Sequence, residues 1–372
     1  VGFLATLPGT AMAQSSQFGV RGLGLPGRAV AARAMGSGGA FALFDPESSV
    51  NPAALTNIPT ITSVFTINQG FRRQENPAGN ASTRDTRFPQ LIIVGPVRQI
   101  AGALALSYSN YTSRDFTLAT ADTVDLRGEP VAVVDSFSSR GGLSDLRMAG
   151  AYRLGELWSF GAGFHVITGS NRLESERVFG NPAYQPSRQT AEVSYAGVGV
   201  SAGLIRQLGS RLAIALMARS DGHVNVDRDS LRVGTIDLPY TFGLGFRWLP
   251  APYLALGSQG IVRTWSGANS DLLEQGGIGS ENTIEIAAGV EYASDLKEPY
   301  QRPLRLGARY GRLPFPVVTG QQGSEFAVSI GSGARFAQQR GGVDLALEHV
   351  WRSEGAYSER AFVLSIGMSV RP

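Results

Sequence analysis

From about Ile61 to Arg371 the chain repeats segments of roughly ten residues in which every second position is apolar, with small or charged residues between. Ile284, Ile286, Ala288, Val290 and Tyr292 share one face of such a segment, while Glu285, Ala287, Gly289 and Glu291 share the other. Leu304, Leu306, Ala308 and Tyr310 interleave with Arg305, Gly307 and Arg309 in the same way, and Phe362, Leu364, Ile366, Met368 and Val370 interleave with Val363, Ser365, Gly367 and Ser369. A period of two is that of a strand with one greasy and one wet face. A helix would scatter these charges around its circumference. Repeated this often, the pattern predicts an all-β protein, a 14-stranded antiparallel transmembrane β-barrel with lipid outside and a polar lumen. A soluble sandwich also alternates, but charges at segment centres beside large aliphatics favour the barrel.

The expected strands cover 60–71, 88–95, 99–111, 144–153, 158–170, 189–206, 211–224, 236–248, 252–264, 282–293, 303–311, 324–334, 341–352 and 360–371. Long gaps such as 72–87, 112–143, 171–188 and 225–235 alternate with tight ones such as Gly95-Pro96-Val97-Arg98 and Leu154-Gly155-Glu156-Leu157. Long loops outside and short turns inside are the asymmetry of a bacterial outer membrane. The connection 294–302, with Glu298-Pro299, is longer than the other tight ones. Tyr108, Tyr111, Tyr152, Trp158, Tyr195, Trp248, Tyr253, Trp265, Tyr292, Tyr310 and Trp351 fall near segment ends, where an aromatic girdle belongs.

Residues 14–59 break the rhythm. They hold Gly22-Leu23-Gly24-Leu25-Pro26-Gly27, an alanine-rich stretch and a Gly-, Ser- and Asn-rich run, all suited to close backbone packing in a lumen. An N-terminal hatch or plug over 14–59 ahead of a barrel over 60–372 is therefore expected. Val1–Leu7 is apolar, and Ala11-Met12-Ala13 before Gln14 has the small-x-small form of a signal-peptidase site, so 1–13 reads as the remnant of a secretory signal peptide.

Chemistry narrows the field further. Cysteine is absent, which removes disulfide frameworks, thiolate metal sites and thiol nucleophiles. The formal charge is only +3 with no basic tract, so no nucleic acid is expected as a partner. His165, His223 and His349 are too far apart for metal-ligand spacing, no Ser/His/Asp arrangement emerges, and neither cofactor nor metal is expected. His165 is read as an inward polar residue and His349 as an interfacial one beside Trp351. Asn225, Asp227 and Asp229 share a face near an outer loop, where solvated loop chemistry outweighs cation binding. Gly22 to Gly27 formally satisfies G-x-G-x-x-G, but no βαβ units surround it, so a hatch turn is the better reading.

The run from Ala34 to Leu55, with Gly36, Gly38, Gly39, Asp45, Asn51, Pro52 and Ala53, resembles the N-terminal hatch of the FadL/TodX long-chain fatty-acid and hydrocarbon transporters and of related PorV-like barrels. In those families a similar stretch runs into Asn-Pro-Ala-Gly-Leu; this chain has Ala54 at the glycine. The resemblance implies passive uptake of hydrophobic small molecules across the outer membrane, with its lipid and lipopolysaccharide as surroundings and no enzymatic activity. The PorV side of it implies the alternative, a non-transport barrel that docks surface or secreted proteins. Glu285, Glu291, Arg305, Arg309, Asp344 and Glu348 occupy the polar phase of nearby strands, so an acid–arginine network inside the lumen is expected. Arg305 and Arg309 are also the candidates for contacting a substrate carboxylate.

Overall fold

In the computed structural model, which describes residues 16–274, 276–296 and 302–372, fourteen antiparallel strands close into one barrel. They are β1 Thr62–Asn76, β2 Gly79–Val97, β3 Gly102–Ser113, β4 Glu129–Leu154, β5 Trp158–Phe179, β6 Ser187–Leu208 and β7 Leu212–Ser220. There follow β8 Tyr240–Ala251, β9 Leu254–Arg263, β10 Thr283–Tyr292, β11 Leu304–Arg312, β12 Ser324–Phe336, β13 Gly341–Glu354 and β14 Tyr357–Val370. Each pairs with its neighbour in sequence, and β14 closes on β1 from Ser358 opposite Glu75 to Val370 opposite Ser63. The expected strands are all present in the expected phase. Ile284, Ile286, Leu304, Leu306, Leu345, Leu347, Phe362 and Leu364 face outward and exposed, while Arg305, Arg309, Asp344 and Glu348 turn inward and are buried. Closure with an apolar outer band leaves no open edge in the bilayer, which is the architecture of an outer-membrane protein.

The long gaps 72–87, 112–143, 171–188 and 225–235 are largely strand, whereas 265–281 and 313–323 hold short helical turns and loop among their described residues. Strand β4 runs for 26 residues, and β5 and β6 for 22 each, against roughly ten needed to cross a membrane. Phe116–Leu126 pairs with β4 over Glu129–Ser139, His223–Arg228 pairs with β6, and Leu231–Asp237 pairs with His223–Arg228. A hydrogen-bonded sheet therefore continues out of the membrane where 112–143, 171–188 and 225–235 were expected to be irregular, and β1 and β2 likewise run through 72–87 to a tight turn. Outside the bilayer no face needs to be greasy, so the hydropathy rhythm lapses while the backbone ladder goes on. The signal remnant 1–13 and residues 297–301, with Glu298-Pro299, lie outside the described residues.

Of the expected girdle, Tyr108, Tyr152, Trp248, Tyr253, Tyr292 and Tyr310 are exposed on the outer surface. Trp351 stacks near His349, ring centroids 3.9 Å apart, as the interfacial reading of His349 requires. Tyr111, Tyr195 and Trp265 depart from it: Tyr195 and Trp265 are buried in an apolar cluster at the outer end of the lumen, and half-buried Tyr111 packs against it. Tyr111 is turned there by a bulge in β3, and Trp265 lies beyond the end of β9 in the one-turn segment Trp265–Ala268.

The N-terminal segment fills the lumen. Ser16 Oγ donates to Glu359 at 2.6 Å and Gln17 Nε2 to the Ser358 carbonyl at 2.7 Å, so from Ser16 the segment descends from near the outer mouth. The helical turn Ala32–Met35 and the 3-10 turn Pro52–Asn57 then span the barrel. The hatch motif has a local cause at each position. Gly38 and Gly39 adopt φ of +70° and +94°, open to glycine at little cost. Asp45 accepts from Ser48 Oγ at 2.7 Å and the Glu47 amide at 3.3 Å, closing the turn that follows it. Asn51 caps Pro52–Asn57 by accepting from the Ala53 amide at 3.0 Å, and Pro52 takes a first-turn position where no N–H is needed. Ala54 lies in that turn without a positive φ, so the family glycine is not required there. The wall yields to the hatch through small residues: a Cβ at Gly307 would overlap the Ser37 carbonyl, one at Gly161 the Pro52–Ala53 peptide, and one at Gly367 would stand 2.9 Å from Ala32 Cβ.

Candidate functional site

The polar phase of the strands builds a continuous belt of ion pairs above the hatch. Arg72 on β1 binds Asp85 on β2 at 3.0 Å and Glu359 on β14 at 3.2 Å. Arg352 on β13 bridges Glu359 to Glu325 on β12, and Glu325 also holds Arg309 on β11. Arg309 lies 3.7 Å from Glu348, which receives Arg28 of the hatch at 3.0 Å. Lower down, Arg305 binds Glu291 at 3.3 Å and Asp344 at 2.8 Å. The network expected from the sequence is thus assembled for Glu291, Arg305, Arg309, Asp344 and Glu348, with Glu285 lining the adjacent cavity. Both candidate substrate-binding arginines are engaged by carboxylates. Arg72, Asp85, Glu325, Arg352 and Glu359 were missed, although each sits on the polar phase of its strand; Arg72 and Asp85 fell in a stretch expected to be loop.

A cavity of about 140 Å³ opens inside this belt. Its lining mixes apolar residues, Leu25, Pro26, Trp265 and Leu313 among them, with charged ones, and arginines outnumber carboxylates by seven to four. It has the polarity of an amphipathic solute.

The wall beside the cavity is incomplete. Strands β2 and β3 pair only from Gln90 opposite Ser109 down to Val97 opposite Gly102. Above that level, within the wall, β2 continues against β1 and β3 against β4, with no pairing between β2 and β3. Both strands are irregular at the parting: the β1–β2 register shifts between Thr66 and Asn68, at Phe88-Pro89, and the β3–β4 register shifts at Tyr111. Pro89 brings no N–H for a ladder, and a bulge bends its strand. Phe71 and Phe362, which face each other on the outer surface, lie nearer the outer rim than Phe88, so the parting is at lipid height. Pro89 and Asn110, at its rim, line the cavity. From within, Leu25–Pro26 pairs with Ser113 and Thr112, and the Gly27 amide donates to the Tyr111 carbonyl at 2.8 Å. The sequence Gly24-Leu25-Pro26-Gly27 thus stands in for the missing strand.

On the adjoining wall, next to β3, Asp145, His165 and Ser201 come together from β4, β5 and β6. His165 Nδ1 lies 2.9 Å from both Asp145 oxygens and Nε2 lies 2.9 Å from Ser201 Oγ. No sequence spacing announced this trio, because adjacent strands bring together residues twenty and more apart. It is almost wholly buried, and Asp145 is further held by Arg219 at 2.7 Å. Arg219 also binds Asp221 at 2.6 Å, and Asp221 accepts from Tyr111 Oη at 2.9 Å. In the outer hairpin, Arg232 binds Asp227 and, at 2.8 Å, Asn225, so these groups serve the sheet.

No protein-family model matches the chain, and no curated protein matches it in sequence. Solved structures do. A Pseudomonas aeruginosa FadL homologue superposes with a TM-score of 0.67 at 15% identity, covering 93% of this chain and 99% of that one. The P. putida toluene transporter TodX gives 0.59 at 13% over 93% and 99%, and the CymD monoaromatic hydrocarbon channel 0.57 at 14% over 92% and 97%. At such identities the likeness is one of fold: the chain has the architecture of the FadL-, TodX- and CymD-like outer-membrane channels.

Proposed function

We propose that the protein is a passive outer-membrane channel for hydrophobic small molecules such as long-chain fatty acids or hydrocarbons, built from a cleaved leader (1–13), a hatch (14–59) and a barrel (60–372). The observation that carries this reading is the parting of β2 and β3 at lipid height beside a cavity of mixed apolar and charged lining. A solute taken into the outer mouth reaches that cavity, and the parted wall offers it the hydrocarbon layer without passage through the charged hatch level. The arginine excess favours solutes with an acidic head, with Arg309 on the lining to receive one. No energy-coupling motif is visible in the sequence, so a concentration gradient drives the flow. The names of the structural relatives point the same way.

The test locks the covering segment in place. Cysteines at Pro26 and Thr112, which face each other in the pairing, are introduced into a chain that has none. Oxidation is expected to stop uptake of a labelled hydrocarbon or fatty acid in cells, and reduction to restore it. Uptake that continues through the locked protein would sink the lateral route. The sheet standing outside the membrane favours a second reading, a docking platform for surface or secreted proteins; normal uptake in a deletion strain together with loss of a co-purifying surface protein would select it.

A further inference from the structure

Arg147 is the most deeply buried arginine of the described wall, 1% exposed, yet its guanidinium lacks the partners such burial demands. It points inward from β4, with Ser107 of β3 on one side and His165 of β5 on the other by register. Its Nε reaches Ser107 Oγ at 3.3 Å, and neither Nη1 nor Nη2 meets an acceptor among the described residues. A buried guanidinium with idle N–H groups is costly, since each unmet donor forfeits its hydration.

The acceptors nearby are already committed. Both Asp145 oxygens face His165 Nδ1, and one of them also receives Arg219 Nη1. That contact fixes the proton on Nδ1, and Nε2 is occupied by Ser201 Oγ at 2.9 Å. Asp221 is taken by Arg219 Nε and Tyr111 Oη. The idle groups around this corner are mainly donors: Arg147 Nη1 and Nη2, Arg219 Nη2 and the Ser49 hydroxyl of the hatch. A Cβ built on Gly163 would stand 2.6 Å from Ser201 Oγ and 3.5 Å from both Arg147 Cδ and His165 Nε2, so the cluster converges around a position without a side chain. A cavity of about 100 Å³, lined by Ser49, Ser109, Asp145 and Arg219, reaches the cluster at Asp145, with Arg147 behind its lining. A surplus of donors selects a ligand that only accepts. Arg147 and Arg219 against Asp145 and Asp221 sum to zero charge, so every negative charge on that ligand goes uncompensated and the smallest anionic charge is favoured.

We propose that Arg147, with Arg219 Nη2 and the hatch hydroxyl Ser49, forms a buried monoanion site at the hatch-facing wall of the lumen. The anion is either inorganic or the carboxylate of an apolar solute; only the second source rests on the transport reading. The trio Asp145–His165–Ser201 positions the site by keeping its own acceptors occupied.

The purified barrel in neutral detergent is heated in sodium isethionate, whose anion is too bulky for the site, and then with sodium bromide or sodium decanoate at the same ionic strength. Bromide is expected to raise the wild-type unfolding temperature by several degrees and to leave Arg147→Gln unmoved, and a bromide-soaked crystal should give an anomalous peak beside Arg147. Decanoate that displaces the peak assigns the carboxylate source; bromide binding indifferent to decanoate assigns the inorganic one. Equal shifts in wild type and variant, or no shift and no peak in the wild type, would overturn the site. Should Arg147→Gln not fold, Arg147→Lys keeps the charge without the fork and is expected to show a reduced shift. Loss of the bromide effect with normal solute uptake would leave the transport reading standing.

Discussion

Moving one methyl group across the interface between hatch and wall tests whether the hatch is seated as described. Gly367 on β14 faces Ala32 at the start of the helical turn Ala32–Met35, and a Cβ at Gly367 would lie 2.9 Å from Ala32 Cβ, with the next contacts relaxed at 3.7 and 3.8 Å. Carbon atoms rest at about 3.5–4.0 Å, so Gly367→Ala demands a displacement of roughly 0.6–1.1 Å. Overpacking of this kind costs about 1–3 kcal/mol. Ala32→Gly alone should cost about 0.5–1 kcal/mol through backbone freedom. The double variant merely carries the methyl from hatch to wall, so it should regain at least ~1 kcal/mol relative to the sum of the single changes, a coupling expected only of residues in contact. Urea unfolding of the detergent-solubilised barrel, followed by its heat-dependent gel mobility, measures all three. Cells carrying Gly367→Ala alone should also admit a bulky hydrophilic antibiotic that the wild type excludes, and the double variant should exclude it again. Strict additivity of the two changes would refute the seating of the hatch against β14.

Arg309→Ala should destabilise the barrel by about 3 kcal/mol, at the lower end for a broken buried pair, because Glu325 keeps Arg352 and Glu348 keeps Arg28. Unchanged unfolding with selective loss of carboxylate uptake would instead make Arg309 a substrate contact. Burial pushes the Asp45 carboxyl above the ordinary aspartate range, with Arg33 opposing the rise and Glu47 adding to it. An acid raised by folding stabilises the folded state below its unfolded pKa and loses that contribution as pH rises through the folded one. The stability difference between wild type and Asp45→Asn should therefore favour the variant increasingly as pH rises from the ordinary aspartate value toward neutrality; a pH-independent difference would count against it.

The barrel was legible because the bilayer enforces it. Alternation at Ile284–Tyr292 or Leu304–Tyr310 is a direct imprint of lipid on one face, and strand count, phase and the acid–arginine network followed from it. Outside the bilayer that imprint ends, which is why Arg72, Asp85 and the Phe116–Leu126 hairpin were taken for loop. The parted wall was illegible for another reason. A bulge such as Phe88-Pro89 changes the register by one residue, and its effect depends on a matching irregularity at Tyr111 on a different strand, a coincidence in space that no local pattern records. The trio Asp145–His165–Ser201 is hidden in the same way, since each member reads alone as one polar residue on an inward phase.

The course of residues 16–27 bears on how the molecule can be made. This segment runs inside the lumen up to the outer rim, where Ser16 and Gln17 are tied to Glu359 and Ser358 on β14 and to Glu75 on β1, the two strands that meet at the seam. A cylinder already closed would have to be threaded from below by an extended chain passing a lumen crowded with ion pairs. Laying the strands down around the segment avoids that passage, with the β14–β1 seam zipped last and Ser16 and Gln17 fastened across it. The segment precedes all fourteen strands in the chain and β14 follows the other thirteen, so chain order is compatible with winding the barrel around its plug.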